Sequence, residues 1–216
     1  METMSDRRYG AGPQGLPPTC VYLVRHGQTA LNAAGVLRGR LDPPLDEIGQ
    51  QQAANLGAAL GCRGISRIVA SPLRRTIETA TAIGAACGAT VTADARLIDR
   101  DYGPWAGRPA EDVESAWGSV EAAPGVEPAG DVRARAMAAL ADVACEAAGG
   151  TAAVVSHDVV IRLCLVACDP RLGDPGQLSQ GTGRFNVLEL RSGAWYVLGI
   201  DEDPVTSPFV RRRRAT

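Results

Sequence analysis

The sequence predicts an α/β fold, a sandwich of helices about a mainly parallel sheet, on three observations. Short apolar runs alternate with helical patterns between about residue 20 and residue 200. The last two runs, 185–190 and 195–200, flank Ser192-Gly193, a hairpin-like turn, so the sheet should end with antiparallel strands. The chain has only two histidines, His26 and His157, and each closes an apolar run, where strand ends give way to the loops that carry sites.

Taken in order, residues 1–18 are rich in Gly, Pro and charge and read as a disordered leader. A strand is expected at 20–24, then a helix at 46–60 that Asp46 can cap, with Ile48, Leu56, Ala59 and Leu60 roughly on one face. A strand at 66–70 leads into Ser71-Pro72, a serine cap followed by proline in the first turn, which predicts a helix over 72–86. The stretch 103–130 is loose and rich in Gly, Pro and Ala, as a lid-like insertion over a site would be. Further helices are expected near 131–147 and 158–167, with a strand at 152–156 between them. Residues 19–202 therefore read as one domain without internal repeats. Residues 203–216 read as a flexible basic tail, in which Arg211 to Arg214 form a solvated run rather than a nucleic-acid contact.

Composition narrows the chemistry. The 216 residues are 45% hydrophobic and 21% charged, with a net charge of −2, which gives no global pull toward nucleic acid or anionic membrane. All 22 basic residues are arginine, so Schiff-base chemistry, a lysine base and the phosphate-binding lysine of nucleotide loops are excluded. The six cysteines show no CxxC pair and sit mostly among Ala, Val and Leu, which predicts buried free thiols in a reducing compartment. No apolar signal core or membrane-length run is present, and a cytoplasmic protein is expected. The histidines are too few to suit a zinc site.

The candidate chemistry begins at Arg25-His26-Gly27. In a parallel sheet the C-terminal strand ends share one edge, where ligands bind. An arginine beside a histidine there lowers the imidazole pKa and keeps the ring neutral and nucleophilic. Arginine is also a natural clamp for phosphate, and Gly27 removes a side chain where a ligand would approach. Arg75 lies in the first turn of a helix, whose free amides favour anions, whereas Arg74 suits a surface ion pair. His157 supplies a second donor, which if protonated would stabilise the oxygens of a phosphoryl group in transfer.

Val24-Arg25-His26-Gly27-Gln28-Thr29, with Asn32, Gly39, Leu45, Gly49, Gln52 and Ala53, resembles the opening signature of the histidine phosphatase superfamily, in its phosphoglycerate-mutase-like branch. Ser71 to Arg75 with Thr79-Ala80, then Leu97 to Gly107, then Val154 to His157 resemble its further motifs, in family order across 20–200. The resemblance implies a three-layer α/β/α sandwich of phosphoglycerate-mutase-like type. It also implies a phosphohistidine on His26, a phosphate pocket of Arg25, Arg75 and His157, and a substrate-phosphate contact from Asn32. Asp99 falls where the family has the glutamate that protonates the leaving oxygen and later activates water. No metal or other cofactor is implied.

Two departures stand out. Asp99 is one methylene shorter than glutamate and sits in sequence between Arg96, Arg100 and Asp101, where neighbouring arginines would depress its pKa unless burial offsets them. Asp158 replaces a common glycine and is a rival acid, although it also suits the N-cap of the helix 158–167 and an ion pair with Arg162. From 103 to 130 there is one basic residue, Arg108, which argues against the cationic lid of a glycolytic mutase. Arg38 and Arg40 are open between a second anion contact and a solvated loop. The expected activity is metal-independent hydrolysis of a small phosphorylated metabolite, with Tyr102, Trp105 and Trp117 available to line the mouth. A mutase-type phosphotransferase and a non-catalytic phosphate-binding module are the alternatives. No nucleic-acid or membrane partner is expected, and the oligomeric state is open, a homodimer included.

Overall fold

The structure is a computed structural model that describes residues 17–211. Its sheet has six strands in the order β3-β2-β4-β1-β5-β6. These are β1 (Thr19–Arg25), β2 (Ile65–Ala70), β3 (Thr90–Ala93), β4 (Thr151–Ser156), β5 (Phe185–Arg191) and β6 (Ala194–Glu202). The first four pair in parallel, while β5 runs antiparallel to β1 and to β6. The antiparallel end follows from its turn: Ser192 and Gly193 both take positive φ (50° and 77°), the geometry that matches strand twist in a two-residue hairpin.

Helices cover both faces. They are α1 (Ala30–Ala33), α2 (Glu47–Leu60), α3 (Arg74–Cys87), α4 (Ala110–Trp117), α5 (Ala129–Ala147), α6 (Asp158–Cys168) and α7 (Pro208–Arg211). Because strand side chains alternate, β1 and β4 feed two separate cores. Val21, Leu23, Ala152 and Val154 pack with Leu140 and Val143 of α5 and Ile161 and Leu165 of α6. Tyr22, Val24, Ala153 and Val155 pack with Leu56 and Leu60 of α2 and Ile83 of α3. A strand apolar on both sides must lie inside the sheet, and β1 and β4 do.

Several expectations needed correction. The stretch 103–130 contains α4 and a cluster of its own, in which Tyr102, Val113, Val120 and Ala123 are buried and Trp105 packs against them. Tyr102 and Trp105 thus pack within this segment, and Trp117 meets Trp105 edge-on at 5.9 Å. Strand β3 went unread because it is only four residues long, too short for its Thr-Val-Thr-Ala alternation to stand out, and is mostly exposed. Ile48 points to solvent at 56% exposure while Leu56, Ala59 and Leu60 are buried. The cysteines are all free thiols, yet among them only Cys164 is buried and Cys62 and Cys145 are exposed. Beyond β6 the chain turns back, so that Phe209 and Val210 pack against the second core. Residues 1–16 of the expected leader and the tail beyond Arg211 lie outside the described residues. Among the described residues no helix is long and apolar enough to cross a membrane.

Candidate active site

Parallel register assembles the site. Arg25 of β1 is opposite Ser156 of β4, so the next residues, His26 and His157, emerge side by side with ring centroids 5.2 Å apart. On the other flank Ala70 of β2 is opposite Val155, which brings Ser71 to His157, Oγ to Nε2 at 2.8 Å. Residues as far apart in sequence as His26 and His157 thus meet at one sheet edge.

His26 is fully buried, and its Nδ1 lies 2.7 Å from the Gly27 carbonyl. A carbonyl can only accept, so Nδ1 carries the proton and Nε2 keeps its lone pair. Nε2 accepts from Arg75 Nε at 3.3 Å. Burial above all, then Arg75 and Arg25, pushes the imidazole well below its ordinary pKa. The neutral ring expected from Arg25 is present, with Arg75 the stronger charge. Glycine is needed beside it for space: a Cβ at Gly27 would lie 2.4 Å from the Gly49 carbonyl oxygen, and one at Gly49 would lie 2.0 Å from that of Gln28.

Arg75 is fully buried in the first turn of α3. It donates to the carbonyls of Leu41 (2.7 Å) and Gly39 (3.0 Å) and to Asp99 Oδ2 (3.1 Å), so its fork is held in one orientation. Arg74, as expected, pairs with Glu78 at the surface. The helix itself starts at Arg74 with Leu73 as N-cap and no side-chain cap. The serine signal at Ser71 was misread, because its hydroxyl faces His157.

His157 is buried and held well below its ordinary pKa by burial first, then by Arg75. Among the described residues its Nδ1 has no hydrogen-bond partner, and it lies 3.7 Å from Asp99 Oδ2. Asp99, 3% exposed, accepts from the Arg100 amide at 2.9 Å. Burial raises its carboxyl pKa against the opposing charges of Arg75 and Arg38. Burial thus offsets the depression that neighbouring arginines would cause, and the two in sequence turn their guanidiniums elsewhere: Arg96 binds Asp94 and Asp142, and Arg100 binds Glu121.

Arg25 donates to the Gln180 carbonyl and faces Asp158 Oδ2 at 3.6 Å, while its buried Nε has no partner among the described residues. Asp158 is not the cap of α6; His157 is, and Asp158 is the first helical residue. Arg162 grips its carboxylate at 2.5 and 3.1 Å, the i,i+4 pair expected. Asn32 closes a capping box with Thr29, its Oδ1 accepting from the Thr29 amide (3.0 Å) and hydroxyl (2.8 Å), which leaves its amide nitrogen for a ligand. Of the two open arginines, Arg40 pairs with Asp101 at 3.2 Å, whereas Arg38 puts its charge on His26, His157 and Asp99.

Sequence reasoning missed Ser71 in its true part, and also Gln180 and Asn186. The last two exchange side-chain hydrogen bonds at 2.9 and 3.0 Å, and Asn186 also donates to the Leu23 carbonyl, fixing the segment that holds Arg25. An asparagine between Phe185 and Val187 in an apolar strand was the available signal.

A neutral, oriented imidazole under two buried guanidiniums is the equipment of phosphoryl transfer to nitrogen. The match to known proteins agrees: residues 21–203 fit the histidine phosphatase superfamily (branch 1), and the chain belongs to that superfamily and is an enzyme of its phosphatase kind. It is 36% identical over 157 residues to the probable phosphoglycerate mutase GpmB of Salmonella paratyphi B, covering 68% of this chain and 73% of that one. Its fold is similar to that of a mycobacterial glucosyl-3-phosphoglycerate phosphatase, with a TM-score of 0.75 and 27% identity over 83% of this chain and 97% of that one. A phosphoglycerate mutase of Bacillus anthracis shares the fold at a TM-score of 0.80 and 22% identity, over 91% of this chain and 96% of that one.

Proposed function

We propose that the chain hydrolyses phosphomonoesters of small metabolites in the cytoplasm through a phosphohistidine on His26, without a metal or other cofactor. The observation that carries this reading is the Nδ1 bond of His26 to the Gly27 carbonyl, which presents the Nε2 lone pair beside Arg75. In the first step Nε2 bonds to phosphorus while the ester P–O bond breaks, and Asp99 gives its proton to the leaving oxygen. In the second, water attacks the phosphohistidine, Asp99 takes the water proton, the N–P bond breaks and phosphate departs. Arg25, Arg75 and His157 bind the phosphoryl oxygens, and the Asn32 amide adds a donor. If Ser71 donates to His157 Nε2, the proton of that neutral ring sits on Nδ1, the nitrogen left without a partner among the described residues.

Asp99 is the better acid of the two carboxylates because it is buried and raised, whereas Asp158 is gripped by Arg162 and faces Arg25. Hydrolysis is favoured over mutase chemistry by the lid, where Arg108 is exposed and Glu121 and Glu127 bind Arg100 and Arg135. The similarity to the probable mutase makes phosphotransfer between hydroxyls the second reading. The similarity to the glucosyl-3-phosphoglycerate phosphatase supports beginning a substrate screen with phosphorylated sugars and hydroxy acids.

Hydrolysis of phenyl phosphate in the presence of chelator, by the wild type and by His26→Ala, tests the reading. The expected result is turnover that falls by about 10⁴-fold or more in the variant. Turnover that survives His26→Ala, or that chelator abolishes, overturns it. Phosphoglycerate isomerisation without phosphate release would support the mutase, and binding without turnover would support a non-catalytic module.

A further inference from the structure

Asp99 lies in irregular backbone between two short 3-10 turns, Ala95–Leu97 and Gly103–Trp105, and the segment is moored to β4 two residues earlier, where Ser156 Oγ donates to the Leu97 carbonyl at 2.9 Å. A side chain from the far core fastens it at Asp99 itself. Arg135, in the middle of α5, donates from Nη1 to the carbonyls of Arg96 (2.8 Å) and Ile98 (2.6 Å), and from Nη2 to the carbonyl of Asp99 itself (3.2 Å). Its Nε and Nη2 also grip Glu127 at 2.9 and 3.1 Å. Glu127 in turn accepts the Asp101 amide on Oε2 at 3.0 Å, and its backbone carbonyl accepts Arg100 Nε at 2.7 Å. The backbone is therefore fastened before Asp99, at it and after it by one guanidinium–carboxylate pair. Both side chains are largely sheltered (19% and 15% exposed), where such charge-assisted bonds persist.

Resting on the assignment of Asp99 as the acid, we propose that Arg135, backed by Glu127, is a positioning residue for that proton transfer. A short acid has little reach of its own, so its carboxyl can meet the leaving oxygen only where the backbone puts it. A proton donor must come within about 2.6–3.2 Å of its acceptor. Arg135 has no hydrogen bond to His26, Arg25 or Arg75 and reaches Arg75 only through the Asp99 carboxylate, so it acts first on protonation and much less on phosphoryl binding.

The test is leaving-group dependence. For Arg135→Ala, kcat/KM is measured on phenyl phosphate, whose phenolate needs a proton, and on dinitrophenyl phosphate, whose leaving group departs without one. The expected result is a loss of about tenfold to a hundredfold on phenyl phosphate and less than about threefold on dinitrophenyl phosphate. Retained turnover of the second substrate also shows that the variant folds. Arg135→Lys, with one donor group in place of a fork, should fall between. Glu127→Gln, which keeps the shape and removes the charge, should show the same selectivity at smaller size.

Asp99→Asn on the same two substrates separates the two ideas. If Asp99→Asn is selective for phenyl phosphate and Arg135→Ala slows both substrates equally, Arg135 is merely structural and the inference fails. If Asp99→Asn itself shows no selectivity, the assignment of the acid fails instead. Should Arg135→Ala be insoluble, the lysine variant carries the test, and equal loss on both substrates again overturns the inference.

Discussion

The two sides of the site are built by different means. On one side His26, Arg25, His157 and Ser71 sit at or just beyond the ends of adjacent parallel strands, and backbone register alone brings them together. On the other side Asp99 stands on a loop held by the long side chain of Arg135 and by Glu127. The first side is made by the sheet and cannot shift without unzipping it. The second is made by a few charge-assisted bonds and can be loosened one at a time. Under the proposed reaction the difference would divide the tasks, with phosphoryl binding on the strand side and protonation of the leaving group on the side of Asp99.

Substitutions should expose this division. The largest effect is expected at the residue that joins the two sides: Arg75→Ala removes the guanidinium of α3 that touches His26 and Asp99 together, and kcat/KM should fall by about 10³-fold whatever the leaving group. A loss that varied strongly with leaving group would break the division. Next, Asp99→Asn should lower kcat/KM on phenyl phosphate by about 10²-fold or more, while Asp158→Asn, which removes an ion pair a fifth exposed, should change it by less than about fivefold. The reverse ranking would make Asp158 the acid.

The smallest effect is on stability. His26 and His157 stay neutral in the fold below their ordinary value of 6.5, whereas the unfolded chain takes a proton on each there. The unfolded state thus binds more protons below pH 6.5, and stability falls with acidification by up to about 1.4 kcal/mol per pH unit for each ring. Asp99 acts in the opposite sense, since its raised carboxyl holds a proton in the fold that the unfolded chain loses above 3.8. Denaturant titrations of the wild type and His157→Asn at pH 7 and about pH 5.5 should show a shallower acid loss in the variant. Equal slopes would mean that the ring is protonated within the fold.

Much of the strand side was readable because its residues are adjacent in sequence to the features that place them. Arg25 and His26 follow an apolar run with alternate residues buried on both faces, as His157 does, and such runs become central strands with their ends at one edge. Arg75 was readable from its place beside a helix start. Ser71 was misread because a serine before proline has the same local appearance whether it caps a helix or supports a histidine. The acid side was half readable: Asp99 was singled out by motif, but the balance of burial against charge there is not legible from Arg96 and Arg100, which point elsewhere. Arg135 carried no local mark, being one of two arginines, with Arg133, in an amphipathic helix.

By itself the sequence determined the α/β sandwich, the two histidines at strand ends and the arginines beside them, because apolar periodicity and strand termination are local properties of a chain. Only the tertiary structure decided which carboxylate is buried and raised and which is tied in an ion pair, and what holds the acid loop. Those outcomes depend on desolvation and on charges that come near through space: Arg75, Arg38 and Arg135 reach Asp99 from far along the chain.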